Sequence, residues 1–287
     1  MRAAAFCPGH ITGFFYPCEH DDPLASGSRG AGVCVHLGAV SEVRLTPGRG
    51  DVTIWLNDQR EEAPVTLAAA RELLPADLDA EVRTRLELPV SSGFGMSAAG
   101  ALSAATALAH LLDLPMQRAY EAAHRAEIAN RCGLGDVSAL TRGGVTFRVR
   151  EGLPPHGQVE RLADDLELVA GVVGGGMRTS SVLGSAGGRR KLAEAGKACH
   201  RELLEAPTVD NFLRLSRRFA EESGIMTAPV REALKALDGL GPASMIMLGN
   251  AVFATGALDE QEEVLKGIGP TFRLRADVEG PRLIRKE

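Results

Sequence analysis

The stretch Pro89-Val90-Ser91-Ser92-Gly93-Phe94-Gly95-Met96-Ser97-Ala98-Ala99-Gly100 constrains this chain more than any other. It lies between an alternating, strand-like run at 82–88 and an alanine-rich segment at 98–112 that lacks proline and consists mostly of strong helix formers. A glycine-rich turn therefore opens directly into a helix. The first amide N–H groups of a helix have no partner within it, and the aligned peptide dipoles add positive potential there, so such places bind anions. Gly93 and Gly95 lack the Cβ atoms that would hold a phosphate away from the backbone. Ser97 can cap the helix or turn its hydroxyl toward a phosphate or a metal. A turn that merely starts a helix is the plainer alternative, and this stretch alone does not separate the two.

Two familiar phosphate loops do not fit. G-x-x-x-x-G-K-[ST] needs a glycine-lysine-hydroxyl sequence, which the chain does not contain. G-x-G-x-x-[GA] is met in form by Gly93, Gly95 and Ala98, but it belongs to a βαβ unit whose next strand follows the helix closely. Here Asp113-Leu114-Pro115 leads into a second helical segment, 116–131. Several strands followed by two consecutive helices give an α+β layout rather than regular βαβ alternation.

A chain of 287 residues, 45% of them hydrophobic, is long enough for two modest domains or one large one and can bury a substantial core. Its formal charge of −5 and its lack of basic blocks argue against a nucleic-acid or membrane-surface role. No apolar run approaches the roughly 20 residues of a membrane span, and the apolar part of Met1-Arg2-Ala3-Ala4-Ala5-Phe6 is too short for a signal peptide. The five cysteines, at 7, 18, 34, 132 and 199, are odd in number and lack C-x-x-C spacing, so a reducing, cytoplasmic setting without a zinc cage is expected. Cys7 and Cys34 lie in apolar runs and read as buried, inert thiols.

In order, residues 2–6 read as a strand, followed by a turn at Pro8-Gly9 and a loop up to Gly32. His10 is either a ligand-facing residue or a local hydrogen-bonding one. Alternating glycines at 27–32, ahead of a strand at 33–37, allow close approach of backbone to a ligand, with Ser28 and Arg29 as hydroxyl and cation; a flexible surface turn is the plainer reading. Residues 40–46 and 52–57 read as a hairpin joined by Pro47-Gly48-Arg49-Gly50, and 65–74 as a short helix. The second helix carries His124, Glu127 and Arg131 on one face, where a solvated stripe is the ordinary outcome, and ends at Gly133-Leu134-Gly135-Asp136, which sets an acid on a glycine-flanked loop. Residues 145–149 alternate as a strand whose Arg148 either faces solvent or offers a bidentate guanidinium to a carboxylate.

Gly152-Leu153-Pro154-Pro155-His156-Gly157 marks a domain junction, dividing the chain into 1–157 and 158–287. The second part begins with a strand at 168–173, followed by Gly174-Gly175-Gly176 and by Met177-Arg178-Thr179-Ser180-Ser181, whose hydroxyls suit capping or the lining of a cleft. Helices at 189–205, 209–223 and 230–237, paired strands at 243–248 and 251–255, a helix at 259–266 and a last strand at 271–276 complete it.

Pro-x-x-x-Gly-x-Gly-x-Ser-Ala-Ala at 89–99, ahead of a long alanine-rich helix, resembles the second motif of the GHMP kinases, the superfamily that contains galactokinase, homoserine kinase and mevalonate kinase. Met96 stands where many members have a serine. Phe6-Cys7-Pro8-Gly9-His10-Ile11-Thr12-Gly13 is similar to the N-terminal Pro-Gly motif of that superfamily, and Gly133-Leu134-Gly135-Asp136-Val137-Ser138 with Gly143-Gly144 to the segment bearing its acidic residue. Pro8-Gly9-His10-Ile11-Thr12, His20-Asp21-Asp22-Pro23 and Gly27-Ser28-Arg29-Gly30-Ala31-Gly32 look like the archaeal pantoate kinases within it. The likeness covers most of 1–150 and thins beyond, where Leu248-Gly249-Asn250-Ala251 keeps a trace of a C-terminal glycine-rich motif.

The resemblance implies an α+β, two-domain GHMP kinase fold, with an N-terminal nucleotide- and substrate-binding domain like the second domain of ribosomal protein S5 and a ferredoxin-like C-terminal domain. It implies ATP as donor with Mg²⁺, and pantoate as acceptor on the route to coenzyme A. Gly93, Phe94, Gly95, Met96, Ser97 and Ala98 would meet the phosphates, Ser97 and Glu127 the metal. Asp136 would stand near the acceptor hydroxyl, as general base or electrostatic orienter, and Ser28, His124, Arg148 and His10 would bind the substrate. A GHMP kinase for shikimate or homoserine and a nucleotide-binding regulator without catalysis are the alternatives. No nucleic-acid or membrane partner is implied, and a homodimer is compatible with it.

Overall fold

Pro8-Gly9 does not turn the chain. In the computed structural model, which describes residues 1–131, 133–176 and 186–287, β1 (Arg2–Cys18) runs through that dipeptide and pairs antiparallel with β2 (Gly27–Pro47), which likewise merges the two shorter strands expected there. The register slips where Pro8 opposes Gly38 and Gly9 opposes Val35, and again between Thr12 and Phe14. Proline has no N–H to give to a ladder, and a bulge accommodates it without ending the strand. His10 and Thr12 lie between the two bulges.

The expected hairpin through Pro47-Gly48-Arg49-Gly50 is also replaced. β5 (Leu78–Leu86) lies between β2 and β3 (Val52–Leu56), antiparallel to the first and parallel to the second. The connection runs through β4 (Gln59–Arg60) and α1 (Pro64–Leu73). Alternation specifies strands but not their partners, which is why 40–46 and 52–57 suggest a pairing that β5 pre-empts. The hairpin that does form joins β3 to β4, turned by Asn57 and Asp58 at φ of 47° and 63°, the positive pair that a type I′ turn requires.

β6 (Val145–Arg150) pairs with the first half of β2, β7 (Gln158–Ala163) with β6, and β12 (Arg282–Lys286) with β1, making an eight-stranded sheet among the described residues. Hydrogen bonding therefore does not divide the strands at residue 157: β7 and β12 lie beyond it and complete the larger sheet. The strand at 271–276 is not the last, because Arg-Leu-Ile-Arg-Lys at 282–286 has no alternation to announce it.

The second sheet has the order β11–β8–β10–β9 and is antiparallel throughout, with β8 at Glu167–Val172, β9 at Ala243–Met245, β10 at Ala251–Ala254 and β11 at Thr271–Arg275. Helices α5 (Ala186–Glu205), α6 (Val209–Glu222) and α7 (Ala228–Ala236) fall between its first and second strands and α8 (Leu258–Lys266) between its third and fourth. This is the split βαβ order of a ferredoxin-like sheet, as expected.

The two helices after the glycine loop are α2 (Met96–Leu111) and α3 (Met116–Asn130). All of α2 except Ser97 and His110 is buried, against α1, α3, β1 and β2. Its alanines keep it narrow enough for neighbours on every side. Of the two hydroxyls it buries, Thr106 has no hydrogen-bond partner, whereas Ser103 Oγ lies 2.6 Å from Ser41 Oγ, which lies 2.8 Å from Thr84 Oγ1. No helix among the described residues is long and apolar enough to cross a membrane.

α6 docks on β1 at Gly13, where an added Cβ would overlap the Ser216 hydroxyl and sit 2.7 Å from Phe212 Cε2. Gly13→Ala should cost about 1–3 kcal/mol by overpacking. A urea melt should show a lower midpoint at unchanged slope; a midpoint equal to wild type would mean that α6 yields at no cost.

Candidate active site

The glycine loop is shaped by its neighbours as much as by its own sequence. Gly93 and Gly95 hold left-handed φ values of 91° and 67°, and Gly95 immediately precedes α2. A Cβ on Gly95 would press on His10 atoms at 3.2–3.3 Å, and one on Gly93 would lie 2.8 Å from Ile246 Cγ2. The loop is thus wedged between β1 and the segment after β9, and the His10 N–H donates to Phe94 O at 2.9 Å. Ser97 is not the helix cap. It sits in the first turn with no capping bond, exposed at the helix tip, while Met96 before it is buried.

A cavity of about 450 Å³ opens at that tip. Residues 93–98 line it, together with Ser28, Glu127, Asp136 and Arg148, from five separate stretches of chain. His10 and His124 are not in its wall.

Glu127, on α3, is buried at 1% exposure. Its Oε1 accepts from the Asp136 N–H at 2.9 Å and its Oε2 from the Val137 N–H at 3.3 Å, so the carboxyl holds the first amides of α4 (Asp136–Leu140), a single helical turn. Burial chiefly, and then the charge on Asp136, pushes Glu127 up to about 8 despite those bonds. Asp136, expected on a loop, is the first residue of α4. Burial alone would raise its pKa, but the hydrogen bond from His10, the charge of Arg148 and the Thr12 hydroxyl outweigh it and hold the carboxyl below the usual range.

Arg148 settles the choice between solvent and interior: it is 2% exposed, and neither its Nε nor its Nη1 has a hydrogen-bond partner. Burial lowers its pKa, opposed by the charges of Asp136 and Glu127. An under-bonded guanidinium at a cavity wall is costly to the fold and is relieved by an anion with two oxygens.

His124 faces away from the expected contact. Its Nε2–H donates to Ser26 O at 3.0 Å, and its Nδ1 lies 4.0 Å from Glu127 Oε2, behind the acid rather than beside the cavity. Helical spacing put the two on one face, but His124 meets the Ser26 carbonyl there while Glu127 meets the amides of α4. Arg29 is committed too, its Nε donating to Glu151 Oε2 at 2.5 Å while His20 Nε2 meets Oε1 at 2.8 Å. The wall also takes Thr12, Phe15, Arg131 and Met247, which the sequence did not single out as site residues. Arg131 had a signal, the positive end of a helical stripe beside the acid; Met247 had none. Residues 177–181, suggested as cleft lining, and Cys132 lie outside the described residues.

Residues 64–144 match the family model for the GHMP kinases N terminal domain. A pantoate kinase of Methanospirillum hungatei is 36% identical over 290 residues, covering 99% of this chain and 96% of that protein. The chain belongs to the pantoate kinase family. A second pantoate kinase, of Thermococcus kodakarensis, is 35% identical over 287 residues, covering 97% of this chain and 95% of that protein. A solved structure described as a phosphotransferase related to the CoA biosynthesis pathway aligns with a TM-score of 0.87 at 31% identity, covering 99% of each chain. The pantoate kinase likeness spans both sheets, including the C-terminal part where the motifs thin out.

The clamp on Arg29 gives a pH signature. Burial would raise Glu151, but bonds from Arg29 and His20 outweigh it and bring the carboxyl from 4.5 down to about 2. A depressed acid adds stability above its unfolded pKa and loses it as pH falls toward the folded one. The stability gap between wild type and Glu151→Gln should therefore shrink between pH 5 and pH 2 in thermal melts. A gap constant across that window would mean that the clamp adds nothing.

Proposed function

We propose that this chain is a kinase that transfers the γ-phosphoryl group of ATP to the alcohol of pantoate, giving 4-phosphopantoate on the route to coenzyme A. The reading rests on one observation above the rest: the buried, under-bonded guanidinium of Arg148 shares a cavity with the amides of the glycine loop and with Asp136. A cation for a carboxylate, a cradle for phosphates and an acid between them are what phosphoryl transfer to a small hydroxy acid needs.

The loop amides at 93–98 and the N-terminal end of α2 receive the terminal phosphates. The metal donors fit in kind. The Ser97 hydroxyl is exposed at the helix tip, and the Glu127 carboxyl, which accepts from backbone N–H groups at the start of α4, lies in the cavity wall. So thin a protein donor set suits Mg²⁺, which keeps waters and phosphate oxygens as its other ligands. When bound, the ion neutralises charge on the phosphate oxygens. Asp136 accepts a hydrogen bond from the attacking hydroxyl; the transition state is loose, so the acid can orient the oxygen early and take its proton late.

Pantoate also carries two geminal methyl groups. Phe15 pairs with Gly30 and Gly30 with Arg148 across three adjacent strands, so no side chain separates the ring from the guanidinium on that rung. An acid with a branched apolar body fits such a gap. Ser28 offers its hydroxyl from the same strand, and His124 braces the backbone before it. We read the enzyme as cytoplasmic, a setting that suits its free thiols at Cys7, Cys18, Cys34 and Cys199; burial raises the pKa of Cys7 and Cys34 and leaves them inert.

An ATP-dependent phosphorylation screen across pantoate, shikimate, homoserine and related hydroxy acids tests the assignment, with pantoate expected to lead. Preference for another acid would move the substrate, and ATP binding without turnover would leave only a regulator. Arg148→Met should raise the KM for pantoate by about 10–100-fold, the worth of a charge-assisted pair, with the KM for ATP nearly unchanged; equal effects on both would remove Arg148 from that role. Asp136→Asn should lower kcat by roughly 10²–10⁴-fold with ATP binding intact, and near-normal turnover would exclude it.

A further inference from the structure

His10 is sealed from the cavity, its side chain fully covered, yet it touches both halves of the chemistry. Its backbone N–H donates to Phe94 O in the glycine loop at 2.9 Å, and its Nδ1 lies 2.8 Å from Asp136 Oδ1 and 3.3 Å from Thr12 Oγ1. We propose that His10 is a positioning residue: it fixes the Asp136 carboxylate relative to the glycine loop and thereby sets the line between acceptor hydroxyl and donor phosphate. This rests on the kinase reading above and replaces the substrate-binding role expected for His10.

Several observations exclude that other role. An ionised carboxylate only accepts, so Nδ1 must carry the proton that joins His10 to Asp136. Burial lowers the pKa of His10 and keeps the ring neutral, which leaves Nε2 as a bare acceptor. Nε2 has no partner and packs toward Gly32, where an added Cβ would lie 2.5 Å from it. No nitrogen remains to meet a ligand.

The other charged or titratable groups that face Asp136 are Glu127 on α3, Arg148 on β6 and Cys34 on β2. Glu127 holds the Asp136 backbone N–H and leaves the carboxylate free to turn. The direction of that carboxylate is set by His10, with the Thr12 hydroxyl beside it. The bulges on either side of His10 and Thr12 re-aim this short piece of β1 toward α4, a usual office of bulges next to active sites.

Paired substitutions separate positioning from bulk. The amide N–H of asparagine falls near the place of Nδ1, whereas that of glutamine falls near Nε2. His10→Asn should lose no more than about 10-fold in kcat, while His10→Gln and His10→Leu should lose about 10²-fold, the scale of a small misplacement at a reacting centre. The KM values for ATP and pantoate should stay within about 3-fold in all three. In an Asp136→Asn background His10→Gln should cost little more, because it acts through the missing carboxylate. Glutamine or leucine outperforming asparagine would overturn the proposal, since both are nearer to histidine in volume, as would a pantoate KM that rises while kcat holds. Full additivity of the two substitutions would overturn it too. Should the screen favour another acceptor, the same ranking is read with that acceptor, so the substrate assignment can fail while the role of His10 stands. Absence of turnover on every acceptor would overturn both.

Discussion

A helix enclosed on all sides has a fixed aim, and the rest of this structure depends on that constraint at α2. Alanine makes the enclosure feasible: a side chain of one carbon lets β1, β2, α1 and α3 approach the same helix without forcing any of them apart. The first amides of α2 then point at one place in space, and no reorganisation is needed when an anion arrives there. Preorganised donors of this kind are worth more to catalysis than mobile ones because their ordering cost was met during folding.

Around that point the chain gathers three ionisable side chains, each on a different element, and divides their obligations unevenly. Glu127 serves the backbone of α4, Asp136 is held by β1, and Arg148 is left short of partners. Full satisfaction of all three would make a more stable protein and a closed site. The unmet bonds of Arg148 are a local cost that a ligand can relieve, the ordinary trade between stability and function.

Much of this was legible in the sequence. The glycine loop, α2, α3 and the strands of the second sheet follow from periodicity and turn residues, because those signals are local. What was not legible depends on distant partners. Pro8-Gly9 looks like a turn until β2 supplies the bulge that absorbs it, and 52–57 looks like the mate of 40–46 until β5 arrives from beyond α1. The site divides the same way. Glycines 93 and 95 and Asp136 announce themselves by their setting, whereas the turn of Arg148 into the cavity wall and of buried His124 away from it hinge on packing that spacing cannot report. Hydrophobic neighbours at 145–149 fitted either fate for Arg148.

The edge strand β12 has a consequence for how the protein is made. Arg2 and Glu287 exchange backbone hydrogen bonds at 2.7 and 2.8 Å, and Ala3 to Phe6 find their outer partners only in residues 282–286. The His10 strand is made well before its border, with the whole of residues 19–281 between them. Until β12 is made, the nascent sheet therefore presents a raw margin, open to stray pairing with other chains, and docking of a few residues is what seals it.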